Sequence, residues 1–330
     1  MATLQRHPQL MLTWGWFTSS WRVPSCTPPL ATAARRTLLV IGGKVPCDAG
    51  GIIYVAPSES LALPPLALAV RAAPMLDAVD LPEDSAVEAL LGGRDASWRA
   101  PRELFGLVAQ RKASEEEASA AISAVSLLAW HRSAAFSGTD GSPTALAEEG
   151  RRRKLASGRT LYPRVDPVAI VLVESADGSR CLLGRQSRYP AGFYTCISGF
   201  VEHAESAEAA AAREVHEETG VVCGSVALVA SQPWPCGRGN HCELMLACAA
   251  RADSAPEAEA IRVANGDGSP GELEDARWFS REEARQMLRS SAAPPGGGEG
   301  GLRTPPPLAI AHHMIRRWAA EEDPRWPSLT

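Results

Sequence analysis

Apolar residues in this chain arrive as short bursts and occasional helical stripes, separated by breaks rich in glycine, proline and serine. Thr37-Leu38-Leu39-Val40-Ile41 and Ile52-Ile53-Tyr54-Val55 are apolar, β-branched runs with glycines between them, which predicts two short strands. Residues 114–131 follow a helical pattern, opened by Glu115, Glu116 and Glu117 and continued by Leu127, Leu128 and Trp130. Residues 137–160 are polar, carry Gly138 and Gly141 early and a basic run from Arg151 to Lys154 later, and read as a linker. A strong strand follows over 167–174. The turn Ala176-Asp177-Gly178-Ser179 leads into another at 181–184, a hairpin signal. Further strands are predicted near 225–230 and 244–249, a loop over 252–271, a Pro- and Gly-rich break over 290–301 and a last helix near 310–320. No internal repeat is visible.

Between the hairpin and the later strands, residues 199–221 read Gly-Phe-Val-Glu-His-Ala-Glu-Ser-Ala-Glu-Ala-Ala-Ala-Ala-Arg-Glu-Val-His-Glu-Glu-Thr-Gly-Val. The alanine-rich centre favours helix and Gly220 is a natural stop, so 206–219 is predicted as one helix. Glu214, Glu217 and Glu218 then stand at i, i+3 and i+4, on one face. Like charges so placed repel by roughly 0.2–0.5 kcal/mol per pair. Val215 falls off that face and can anchor the helix. A hard divalent cation would offset the repulsion, because Mg²⁺ takes oxygen ligands from a few carboxylates and from substrate phosphates. Metal ions also neutralise a pyrophosphate and acidify an attacking water. A solvated, Glu-rich helix would carry the same three glutamates; only the larger pattern separates the two readings.

That pattern is Gly199, then Glu205, Arg213-Glu214-Val215, Glu217-Glu218 and Gly220-Val221. It matches the Nudix box at every defined position, and the chain is identified as resembling the Nudix hydrolases. Flanking segments resemble the NADH pyrophosphatases within that family: Tyr162 to Pro167, Cys181 to Gln186, Ser231-Gln232-Pro233-Trp234-Pro235, Glu272 to Phe279 and Ile310 to His313. Even Ser126 to His131 is similar to the helix before that family's zinc ribbon. The resemblance implies an α/β fold: a Nudix domain, a mixed sheet between helices, over 161–322. A smaller N-terminal α/β domain over 37–136 precedes it, and a tail over 323–330 follows.

The resemblance also implies roles. Glu214 and Glu218 match metal-ligand carboxylates, with Glu217 a further ligand or the general base. Glu272 matches a later carboxylate of the metal site, and Ser198 a position whose backbone carbonyl reaches metal. Arg213 matches the arginine that orients the glutamates. Gln232, Pro233, Trp234, Pro235 and Ala311 match substrate-contacting positions. A tryptophan between prolines is stiff and could stack on a nucleotide ring, although a core tryptophan is the competing reading. The implied reaction is Mg²⁺- or Mn²⁺-dependent hydrolysis of NADH, and NAD⁺ less well, to the nicotinamide mononucleotide and AMP. NAD-cap removal from RNA and homodimers are implied as well. Two alternatives stand: a Nudix hydrolase for another nucleoside diphosphate such as ADP-ribose, and a non-catalytic nucleotide-binding protein.

Three departures bear on this. The family often has a four-cysteine zinc ribbon just before Tyr162, yet no cysteine occurs between Cys47 and Cys181, so no structural zinc is expected. After Pro235 the substrate signature breaks, and Cys236 to Glu243 is about four residues longer than usual. Ala204 stands where the box usually has glycine; a positive φ there would cost about 1 kcal/mol.

Composition adds limits. The 330 residues suffice for two modest domains, and a net charge of −5 argues against a broad basic surface for duplex DNA or an anionic membrane. No run of about 18 apolar residues predicts a membrane helix. Eight cysteines without a CxxC pair predict reduced thiols. The first 47 residues hold no Asp or Glu and nine Ser or Thr. Residues 1–36 therefore read as an organelle address, mitochondrial or plastid, or else as a leader with no address on a cytoplasmic protein.

Overall fold

The computed structural model describes residues 36–55, 61, 68–73, 76–83, 85, 87, 89–255, 257–263, 271–291 and 301–321. The acid-free leader lies outside them, except Arg36. The chain divides into two compact units, Met1–Tyr162 and Pro163–Thr330. Among the described residues no helix is long and apolar enough to cross a membrane.

The first unit contains β1 (Arg36–Ile41), β2 (Val45–Asp48), β3 (Gly51–Ile52), β4 (Leu68–Ala73), β5 (Leu76–Leu81), β6 (Ser97–Arg99), α1 (Leu104–Ala109), α2 (Glu115–Ser133), β7 (Ala145–Ala147), β8 (Arg152–Lys154) and β9 (Thr160–Leu161). Its sheets are ordered β1-β5-β4, β3-β2-β6 and β7-β8-β9. The strand expected over 52–55 is divided: Ile52 pairs with β2, while Val55 bridges Thr37 of β1. Helix α2 begins with a reciprocal cap. Ser114 Oγ accepts from Glu117 N, and Glu117 Oε2 accepts from Ser114 N, each at 3.1 Å. Its three leading glutamates also sit at the positive end of the helix dipole, where they stabilise it.

The linker expected over 137–160 is folded. Strands β7, β8 and β9 form an antiparallel sheet, reached through a turn in which Ser137 N donates to Ser142 O at 2.8 Å. Arg153 fastens that sheet to α2. Its Nε donates to Thr144 Oγ1 at 2.6 Å, its Nη2 to Thr144 O at 3.0 Å, and its Nη1 lies 3.1 Å from His131 Nδ1. His131 Nε2 in turn meets Gly150 O at 2.5 Å. Burial holds the His131 pKa below its ordinary value. A neutral ring that donates from Nε2 to the carbonyl leaves Nδ1 to accept from Arg153, and every contact is then matched. Polarity in this stretch signals internal hydrogen bonding between side chains that are nearly inaccessible, 1% for His131 and 9% for Arg153.

The second unit contains β10 (Val165–Glu174), β11 (Arg180–Arg185), β12 (Ile197–Phe200), α3 (Ala207–Thr219), β13 (Cys223–Trp234), β14 (Cys242–Ala252), β15 (Asp275–Ser280), α4 (Arg281–Ser291) and α5 (Ile310–Ala319). The mixed sheet runs β13-β14-β10-β11-β15, with β12 pairing β10; β10 and β14 are parallel. Strand β10 is central and buried on both faces, which explains its nearly unbroken apolar run. Ala169, Val171 and Val173 pack with Ala210, Ala211 and Val215 of α3. Ile170 and Leu172 face Met287 of α4 and Met314, Ile315 and Trp318 of α5. Truncating a fully buried residue such as Ile315 to alanine costs about 2–5 kcal/mol. Helix α4 was not predicted, because it buries only Ala284 and Met287. Its start had a readable signal: Ser280 and Glu283 form a reciprocal cap.

Candidate active site

Local sequence dictates how α3 carries its carboxylates. Ser206 Oγ accepts from Ala209 N at 3.2 Å and starts the helix. Gly220, at φ 73°, ends it in the left-handed conformation. Ala210, Ala211 and Val215 fix its apolar side to the sheet, which turns Glu214, Glu217 and Glu218 toward β12 and the loop before β15. Glu217 and Glu218 lie in the last turn, at the negative end of the dipole, where a carboxylate is destabilised.

Arg213 organises the group. Its Nε and Nη2 donate to the two oxygens of Glu205 at 2.9 Å each. Its Nη1 donates to Glu214 Oε1 at 2.8 Å and Glu217 Oε2 at 2.9 Å, and Nη2 also donates to Phe200 O at 3.0 Å. All five N–H groups of the guanidinium are used. The arginine lowers the Glu205 pKa, and Arg213 itself is held firmly charged by Glu205 first, then Glu214 and Glu217. Glu205, quoted in the motif but given no role there, is therefore its main partner. Ala204 adopts φ 62°, the strained backbone that its alanine raised as a question.

Gly199 lets the cluster approach β12. A Cβ there would lie 1.9 Å from Glu214 Cδ. Glu218 is 7% exposed, and its Oε1 has no hydrogen-bond partner among the described residues. Burial pushes its carboxyl up to about 8, reinforced by the charges of Glu214 and Glu272 and by a hydrogen bond with Glu272. Burial likewise raises Glu214, with Glu217 and Glu272 adding to the effect. Glu272 is thus brought to the cluster from far along the chain. Ser198 is half-buried on β12 beside Gly199, paired with Ile170.

An orphaned buried carboxylate oxygen among mutually repelling carboxyls fits a hard divalent cation. Among the described residues no three such side chains already form a ready-made metal centre, so an ion would draw these carboxylates inward.

The expected substrate positions divide. Gln232 is 3% exposed, and both ends of its amide serve α5: Nε2 donates to Leu308 O at 2.9 Å and Oε1 accepts from Ile310 N at 2.8 Å. It positions the last helix. Ala311 is 3% exposed and packs in the core cluster beneath the sheet. Pro233 is exposed, Trp234 half-buried and Pro235 buried at the end of β13. Sequence reasoning missed Phe200 and Arg238, whose guanidinium carbon lies 5.3 Å from the Phe200 ring centroid. An aromatic next to the box glycine and an arginine in a lengthened loop were the available signals.

A mixed sheet between helices, with a glutamate helix laced to one arginine and closed over a glycine, defines an α/β domain built around a carboxylate cluster. Residues 163–295 match the NUDIX domain, and the chain carries a Nudix domain. The human protein named NAD-capped RNA hydrolase NUDT12 is 41% identical over 213 residues, 62% of this chain and 42% of that protein. An Arabidopsis thaliana protein, Nudix hydrolase 19, chloroplastic, is 42% identical over 217 residues, 64% of this chain and 47% of that protein. The mouse NAD(P)H pyrophosphatase NUDT13, mitochondrial, is 38% identical over 237 residues, 71% of this chain and 62% of that protein. The chain thus spans between 42% and 62% of the length of these relatives.

Proposed function

We propose that this protein hydrolyses the pyrophosphate bond of NADH, and of NAD⁺ less well, to the nicotinamide mononucleotide and AMP. The observation that carries this reading is Glu218, buried with an unpartnered oxygen against Glu214 and Glu272. The names of the relatives point to the same substrate class. Glu214, Glu217, Glu218 and Glu272, with the Ser198 carbonyl, would hold Mg²⁺ or Mn²⁺. That ion would neutralise the anhydride and acidify the attacking water. Arg213 keeps Glu214 and Glu217 oriented, and Glu217, 57% exposed at its side chain, is placed to take a proton from water at the surface of the cluster. Trp234 offers a ring surface at the end of β13. Removal of NAD caps from RNA, homodimer assembly and an organelle address in residues 1–36 belong to the same proposal.

A second reading, hydrolysis of another nucleoside diphosphate such as ADP-ribose, is favoured by the lengthened segment 236–243. A product assay on NADH, NAD⁺, ADP-ribose and NAD-capped RNA, with Mg²⁺, Mn²⁺ or chelator, decides between them. NADH should give two monophosphates and lose turnover with chelator. A tenfold preference for ADP-ribose in kcat/KM would overturn the NADH assignment.

A further inference from the structure

The segment after Pro235 is held in a defined shape. Asn240 N donates to Gly237 O and His241 N to Arg238 O, both at 3.1 Å, closing a tight turn. Glu243 of β14 clamps it: Oε1 accepts from Arg238 N at 3.0 Å. A Cβ at position 237 would lie 2.4 Å from Glu243 Cδ, so glycine is what lets the carboxylate in. The effect is to present the Arg238 side chain above the Phe200 ring, 5.3 Å from its centroid, a cation–π arrangement. Phe200 is 38% exposed and directly follows Gly199, the residue against the Glu214 carboxylate. Its carbonyl accepts from Arg213 at 3.0 Å. Arg238 is exposed, and among the described residues no carboxylate lies within ion-pairing distance of its guanidinium.

Charge makes this placement informative. A pyrophosphate substrate brings more negative charge to a site that already holds Glu205, Glu214, Glu217, Glu218 and Glu272. Arg213 cannot answer it, since each of its N–H groups is bound to a carboxylate or to the Phe200 carbonyl. Arg238 retains a full set of planar donors, matched to phosphate oxygens and restrained by the ring beneath. We infer that Arg238 is a specificity-determining residue that binds a phosphate group of the substrate at the edge of the carboxylate cluster. This rests on the reading of the site as a pyrophosphate hydrolase.

The test pairs binding with kinetics. Calorimetry on wild type, Arg238→Ala, Arg238→Gln and Arg238→Lys would use AMP and nicotinamide mononucleotide, each against its own nucleoside. For at least one mononucleotide, Ala and Gln should weaken binding about tenfold or more, the loss expected for one charge-assisted hydrogen bond, with under twofold change for the nucleoside. Lys should fall between wild type and Ala, because it keeps the charge but loses the planar fork stacked on Phe200. With NADH the same variants should raise KM about tenfold and leave kcat within about threefold. Equal losses for nucleotide and nucleoside, or no loss for either mononucleotide, would overturn the assignment. Phosphate-dependent losses in a protein that does not turn over NADH would instead support the contact and refute the reaction.

Discussion

In each unit an arginine gathers polar groups around itself, Arg153 in the first and Arg213 in the second, and the two differ in what is left over. Arg153 meets only neutral acceptors, Thr144, His131 and, through His131, the Gly150 carbonyl. Arg213 meets three carboxylates, while Glu218 and Glu272 lie close by with no ion pair to a basic side chain among the described residues. The first arrangement is complete in itself and holds a sheet to a helix. The second has excess negative charge in a partly buried place, a cost that folding alone does not repay. The two sets of helix glutamates repeat the lesson. Glu115, Glu116 and Glu117 sit where the α2 dipole favours them, whereas Glu217 and Glu218 sit where the α3 dipole opposes them. Groups placed against local physics mark where a ligand enters the balance.

The largest expected effect separates the two arrangements. Glu218→Gln should lower turnover on the order of a thousandfold, through lost metal stabilisation of several kcal/mol, while raising the melting temperature in chelator. Steady-state rates and circular dichroism check this; retention of more than about a tenth of the activity would place the chemistry elsewhere. Gly199→Ala should cost about a hundredfold in kcat/KM, because a Cβ 1.9 Å from Glu214 Cδ must displace that carboxylate. If Gly199→Ala keeps wild-type kinetics, the close approach has no catalytic meaning.

Arg153→Met should act in the opposite sense. It strands His131 Nδ1 and the Thr144 carbonyl, at about 1–3 kcal/mol each in urea unfolding, with kcat/KM little changed below the transition. Elemental analysis of untagged protein should find no stoichiometric zinc; one tightly bound zinc per chain would mean that another ligand set holds this unit. The smallest effect is that of pH. Because the folded-state pKa of His131 is depressed by burial, its contribution is present above its unfolded value of about 6.5 and is lost as pH falls toward the folded value. Hydrogen exchange of the β7–β9 amides should therefore quicken from pH 7 to pH 5, and faster exchange at the higher pH after correction for intrinsic rates would contradict it.

The α3 cluster was legible because its information is local: Gly199, Arg213 and the three glutamates fall within 20 residues of one another. The same locality made Ala204 readable as a strained position. Glu272 was reachable only through family resemblance, since nothing in its neighbours marks it. The burial of Gln232 and Ala311 was not legible, because it is set by the packing of α5, and the bonds from Gln232 to its start span 76 and 78 residues. The Arg153 clasp joins positions 22 residues apart with no shared period, so its polar residues looked like solvent-facing linker. Strands on the two-faced core of the second unit were the easiest to find, because burial on both sides writes continuous apolar runs.

The bond from Gln232 to the start of α5 also orders events during synthesis. The glutamate helix is complete long before α5 exists, yet one face of its sheet stays open until Met314, Ile315 and Trp318 arrive. At about 5–20 residues per second, translation of the 78 residues from Gln232 to Ile310 takes roughly 4–16 s. Throughout that interval the nascent chain displays an apolar sheet face and an amide at Gln232 with neither of its α5 partners. A ribosome paused in the 290–301 stretch would hold the protein at its most adhesive moment, with its chemistry already spelled out and its last wall not yet built.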